Sequence, residues 1–211
     1  MKFFGWLRVF VVVVFLAQGV GCFGQGAAAP VPTVKVLVQS PADTVTDLQI
    51  FCLFRSSAKN TLHGSLVEID GKLHGLLGQI RKPELFGGEF GETMVLTPAP
   101  GTLGAKRVLI IGLGDSAGFT PARMYLVGKI AWREANRLGV AHPFFAPAVL
   151  DGGVTGFSTD VVAEQVVRGL RDAMASEAVV RGASVVVDFT FLAGSTHAAD
   201  TQNGINRAIR R

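Results

Sequence analysis

Lys106-Arg107-Val108-Leu109-Ile110-Ile111-Gly112-Leu113-Gly114 is the stretch that decides the fold. Its aliphatic run does not alternate with polar residues, and it stops at a glycine. A strand buried on both faces has this pattern, and such strands belong to parallel sheets covered by helices on both sides. The segment that follows has the opposite rhythm. Met124, Val127, Ala131, Ala135 and Leu138 fall on one helical stripe, with Lys129, Arg133 and Arg137 on the other. Thr120 is placed to cap this helix, Pro121 suits its first position and Gly139 its stop.

Working outward, the same alternation recurs. Residues 48–54 form a short apolar run suited to a buried strand. Residues 62–80 carry Leu66, Ile69, Leu73, Leu76, Leu77 and Ile80 at helical spacing, weakened by Gly64, Gly71, Gly75 and Gly78 and stopped by Pro83. Residues 92–97 read as a strand that Pro98 and Pro100 end, and residues 142–146 as a short strand between prolines. Ser158 or Thr159 opens another helix, with Ala163, Val166, Val167, Leu170 and Met174 facing inward. Residues 183–192 form a strand and residues 197–209 a polar last helix. Strands alternating with helices predict an α/β domain with a largely parallel sheet and helices on both faces.

The first residues have a different purpose. Lys2 and Arg8 precede the apolar run VFVVVVFLA of residues 9–17, and small residues follow as far as Ala29. This is the order of a secretory signal peptide, and the run is shorter than the about 20 residues a spanning helix needs. Cleavage after Ala29 makes residues 1–29 the signal peptide. Alternatively Val20-Gly21-Cys22 resembles a lipoprotein box, with residues 1–21 removed and Cys22 acylated, although Gly19 departs from its pattern. Residues 23–33 are rich in Gly, Ala and Pro, and a flexible tether is expected over residues 30–45, ahead of a domain over residues 46–211. Either route predicts an extracytoplasmic protein: periplasmic, secreted or lipid-anchored, and touching a membrane only through that anchor.

Composition excludes several functions. The formal net charge of +4 is half carried by Lys2 and Arg8, and basic residues are not interleaved with aromatic ones, so nucleic acid is not an expected partner. With Cys22 removed or acylated, Cys52 is the remaining cysteine, in an apolar run that suits a buried thiol. His63, His74, His142 and His197 lack zinc-ligand spacing, so no metal site is expected. Ser158 near Asp160 reads as helix capping rather than as part of a catalytic triad. Gly112-Leu-Gly114-Asp115-Ser-Ala117 matches G-x-G-x-x-A after a strand, which makes Gly112, Gly114 and Asp115 the candidate ligand-binding residues. The acid that should follow about 20 positions on, to bind ribose, falls at Glu134 inside a helix. Asp115 also brings negative charge into the loop. A structural turn is therefore the better reading, and no cofactor is expected.

Several stretches in order carry a family resemblance. Phe86-Gly-Gly88-Glu-Phe-Gly91-Glu92-Thr93-Met-Val-Leu96 resembles a glycine-spaced turn leading to Gly-Glu-Thr and a strand. Residues 106–114 resemble a "K-R-V-L-L-V-G-L-G" strand and turn, and Ala163-Glu164 with Gly169 an "A-E-x-x-x-x-G" helix. Together they resemble the N-terminal domain of leucine aminopeptidases, also called cytosol aminopeptidases. The resemblance implies a macro-domain-like three-layer sandwich with a mostly parallel mixed sheet. It also implies a domain that helps build an oligomer and shape access to an active site held elsewhere. The family's catalytic N-T-D-A-E-G-R motif has no counterpart in these 211 residues, and Val127-Gly128-Lys129 is only a chance echo of its metal-binding lysine segment. Leu170-Arg-Asp-Ala-Met departs from the aromatic segment expected after Gly169. Arg211 falls about where the family crosses to its catalytic half. No catalytic residue is carried over. The expectation is a non-catalytic binding, accessory or oligomerisation module, partnered by a separate catalytic chain or by itself. The alternative is a macro-domain-like binder or hydrolase of nucleotide or ADP-ribose-type ligands.

The export reading predicts that protein made in a bacterial host begins at Cys22 or near Pro30. Mass spectrometry of the purified product checks this, and an intact Met1 in the soluble cytoplasmic fraction is the contrary result.

Overall fold

A computed structural model describes residues 33–57, 61–82, 85–181 and 184–210. The signal-peptide segment, Cys22, Ala29, Pro83 and Ala183 lie outside them. The predicted central strand is β4 (Val108–Gly112), buried at every position. It pairs in parallel with β2 (Gln49–Leu53), Ile50 opposite Leu109 and Cys52 opposite Ile111. β2 pairs on its other side with β5 (Phe144–Ala146), which pairs with β6 (Asp188–Ala193), again in parallel. β3 (Thr93–Leu96) runs antiparallel along the outer side of β4, and β1 (Thr33–Val38) closes the far edge on β6. The order is β1-β6-β5-β2-β4-β3: a mixed, mostly parallel sheet, as expected.

Helices cover both faces. On one, Ile50, Cys52, Leu109, Ile111, Phe145, Phe189 and Phe191 meet α3 (Arg123–Arg137), α4 (Thr159–Arg181) and α5 (Ala198–Arg210) through Val127, Ala131, Val166, Leu170 and Ile205. On the other, Phe51, Leu53, Val108 and Ile110 meet Leu66 and Ile69 of α1 (Gly64–Lys72), Leu77 and Ile80 of α2 (Leu76–Ile80), and Phe86. The result is the predicted three-layer sandwich. The α3–α4 seam depends on two glycines. A Cβ on Gly128 would lie 2.1 Å from the Val166 carbonyl oxygen, and one on Gly169 would lie 1.9 Å from that of Tyr125. Cys52 is fully buried, and burial pushes its thiol pKa up. No helix among the described residues is long and apolar enough to cross a membrane.

Four expectations change. The tether drawn over residues 30–45 is corrected from Thr33 onward: residues 33–38 are β1, and Pro41–Asp43 is a 3₁₀ turn whose start Ser40 caps by accepting the Ala42 N–H. The run TVKVLV is a half-exposed edge strand, so it lacks the continuous apolar signal of β4. The helix over residues 62–80 divides in two, because the chain turns left-handed at His74 and Gly75. Asp70 then accepts the Leu77 and Gly78 N–H groups and so starts α2. Thr120 does not cap α3. Its carbonyl accepts the Arg123 N–H in a preceding turn, and the helix begins without a side-chain cap. β6 begins at Asp188, after Val187 has donated its N–H to the Ala141 carbonyl.

Ile110 is completely buried between β4 and the α1–α2 layer. An unpaired carboxylate there costs several kcal/mol, against a typical domain stability of about 5–15 kcal/mol. Ile110→Asp is expected to abolish soluble, folded protein; circular dichroism and soluble yield measure it, and a parental melting curve would contradict the burial.

Candidate functional site

The sequence points to Gly112, Gly114 and Asp115, and the structure packs this loop against protein. The Gly112 N–H donates to the Glu92 carbonyl at 2.8 Å, and the Gly114 N–H to that of Gly88 at 2.8 Å. In return the Gly112 carbonyl accepts from Gly91 at 3.0 Å, and that of Gly114 from Arg55 at 2.9 Å. A Cβ on Gly112 would stand 2.0 Å from the Glu89 carbonyl oxygen. The exposed Asp115 carboxylate accepts the Ala117 N–H at 3.0 Å, closing its own turn. Arg123 donates to the Leu113 and Asp115 carbonyls. The two glycine N–H groups that a pyrophosphate would need donate to protein carbonyls instead, and the loop is a turn packed on residues 88–92.

The loop's partner is the Gly-Glu-Thr stretch. The Glu92 carboxylate accepts the Gly87 N–H at 3.2 Å and the Glu89 N–H at 2.9 Å, so it shapes the turn that docks on Gly112. Arg55 pairs with Glu89. The two motifs that carry the family resemblance thus bind each other.

Open space lies elsewhere. β2 leads onward to β4 on one side, and β5 leads through α4 to β6 on the other, so the sheet's connections reverse between β2 and β5. Ligand crevices in open α/β sheets form beyond the carboxyl ends of strands near such a reversal. Here a cleft of about 460 Å³ opens beyond β5, β6 and β1, within the usual pocket range of roughly 300–1,000 Å³. Its apolar wall includes Pro147, Leu150, Phe157, Val162 and Leu192. Its polar groups come from four separate elements. Glu68 on α1 accepts from the Ser40 hydroxyl at 2.7 Å, and Asp151 after β5 accepts from the Ser65 hydroxyl. His197 precedes α5, and Thr201 lies in its first turn. Thr201 is 4% exposed, and its hydroxyl has no hydrogen-bond partner among the described residues.

Charge at the cleft is one-sided. Glu68 and Asp151 line it, and none of its described lining residues is Lys or Arg. α4 and α5 point their N-termini toward it, but each carries an acid in its first turn, Asp160 and Asp200. The Ser158 hydroxyl, and then Arg207, hold the Asp160 carboxyl below its ordinary pKa. Glu68 and Asp151 belong to no motif in the sequence, and His197 has no zinc-ligand spacing to another histidine. The signal available in the sequence was the Asp151-Gly-Gly153 loop, directly after a predicted strand. Among the described residues no group of three or more His, Cys, Asp or Glu side chains is arranged to hold a metal ion.

Residues 50–177 match the sequence model of the cytosol aminopeptidase family, N-terminal domain. The chain belongs to the cytosol aminopeptidase family. Among curated family members, the probable cytosol aminopeptidase of Burkholderia mallei is 36% identical over 90 residues, 43% of this chain and 18% of its own length. That of Paraburkholderia phymatum is 33% identical over 112 residues, 53% of this chain and 22% of its own length. The chain thus spans about a fifth of these relatives. A tomato leucine aminopeptidase structure superposes with a TM-score of 0.66 at 19% identity, covering 87% of this chain and 36% of that one. A Trypanosoma brucei macrodomain in complex with ADP gives 0.59 at 14% identity, covering 82% and 69%. Both establish the fold.

Gly112→Ala forces a Cβ into the Glu89 carbonyl, and overpacking of this kind costs about 1–3 kcal/mol. A clearly lowered melting temperature is expected. Asp115→Ala, on the exposed rim of the same turn, should stay within about 0.5 kcal/mol of the parent. Thermal denaturation followed by circular dichroism compares the two.

Proposed function

We propose that this protein is an exported, non-catalytic member of the cytosol aminopeptidase family. It is a binding module that receives a ligand in the cleft beyond β5, β6 and β1 and works beside a separate catalytic chain or in self-association. The match to the family's N-terminal domain carries this reading. The chemistry supports it. Metal-assisted peptide hydrolysis needs an ion to polarise the carbonyl and activate water, held by several convergent ligands. Glu68 and Asp151 are each engaged with a serine, and the described residues offer no third ligand beside them.

A second reading takes the domain as a binder or hydrolase of nucleotide or ADP-ribose-type ligands. Its support is the fold shared with a macrodomain solved with ADP. The acidic lining of the cleft favours the first reading, because a diphosphate would meet two carboxylates and no Lys or Arg among the described lining residues.

The purified protein is expected to show no turnover of leucine anilide substrates with added zinc, manganese or cobalt. Turnover that copurifies with the protein and disappears with chelator would establish a metal site and reverse the non-catalytic reading.

A further inference from the structure

We infer that the cleft binds a small organic cation, an ammonium group on a short aliphatic body, and rejects phosphorylated ligands. This rests on the reading that the cleft is the domain's ligand site. Glu68 and Asp151 approach it from α1 and from the loop after β5. Each uses one carboxylate oxygen to accept a serine hydroxyl. The second oxygen of Glu68 has no hydrogen-bond partner among the described residues and is left to accept from an ammonium, which carries donors only. Leu150, Phe157 and Val162 make part of the lining apolar, which suits a hydrocarbon body.

A second polar group at the cleft is also open to a ligand. Thr201 is buried at its wall with a hydroxyl that no described residue satisfies. That hydroxyl can donate and accept a hydrogen bond at the cleft wall and is available to a guest. The helix N-termini are the feature that would attract phosphate. At α4 the Asp160 carboxylate already accepts the Val161 N–H at 2.8 Å, and at α5 Asp200 stands in the first turn. The chain's own acids therefore answer both positive helix ends.

Isothermal titration of the purified protein with 3-methylbutylamine, leucinamide and ADP-ribose tests this. Both amines are expected to bind and ADP-ribose is not. The tighter amine tells a bare alkylamine from an aminoacyl group, and either order supports the proposal. Glu68→Gln removes one charge-assisted bond from a surface side chain and should weaken the amines about ten-fold or more. Asp151→Asn should do the same, with circular dichroism confirming the fold. Amine affinity unchanged in both variants overturns the proposal. ADP-ribose binding that is blocked by Ser195→Trp at the cleft rim overturns the charge class but leaves the cleft as the ligand site. No binding of any probe at millimolar concentration overturns both the class and the reading beneath it.

Discussion

The close approach of two backbones at the end of β4 constrains much of this structure. Gly112 and Gly114 exchange hydrogen bonds with the turn around residues 88–92, at distances that leave Gly112 no room for a side chain. That contact fixes where β3 starts, because Gly112 also donates to the carbonyl of Glu92, next to the first residue of β3. β3 in turn covers the edge of a strand that is buried on both faces. Without it β4 would expose unpaired backbone groups along a hydrophobic edge, a template for aggregation. The residues that make the family recognisable are therefore the ones that hold the sheet's edge closed.

The same fact separates family resemblance from function. A glycine-rich loop after a parallel strand has two uses, to admit a phosphate or to admit another stretch of backbone. The sequence patterns are alike because both need a missing Cβ. What distinguishes them is the destination of the N–H groups, and here carbonyls of Gly88 and Glu92 accept them. The cleft is built differently. It is a gap between the ends of β5, β6 and β1, and side chains from several elements give it its polarity.

This difference sets how much was legible in the sequence. β4 was legible because burial on both faces leaves a continuous aliphatic run, and α3 because one buried stripe leaves a helical period. β1 was not, since an edge strand half-open to solvent shows neither pattern and follows a Pro- and Gly-rich stretch that reads as a tether. The break between α1 and α2 was only hinted at by their glycines, because Asp70 makes the second start by reaching forward to Leu77. The cleft was illegible for a topological reason. Ser65 and Asp151 meet across 86 positions of chain, and no spacing rule links them. They meet because β2 and β5 are neighbours in the sheet while their connections lead in opposite directions.

The fold by itself therefore leaves the ligand undetermined. The architecture fixes the place, since parallel strands and helix N-termini converge on one edge whatever the side chains are. In a fold of this kind the helix ends lend that edge a positive potential suited to anions. In this chain Asp160 and Asp200 stand in the first turns of α4 and α5, and Glu68 and Asp151 line the space between. A helix end carries only about half a charge, and here each end has a carboxylate beside it, with Asp160 also paired to Arg207. The acids at this edge therefore oppose the preference that the helix ends alone would give it.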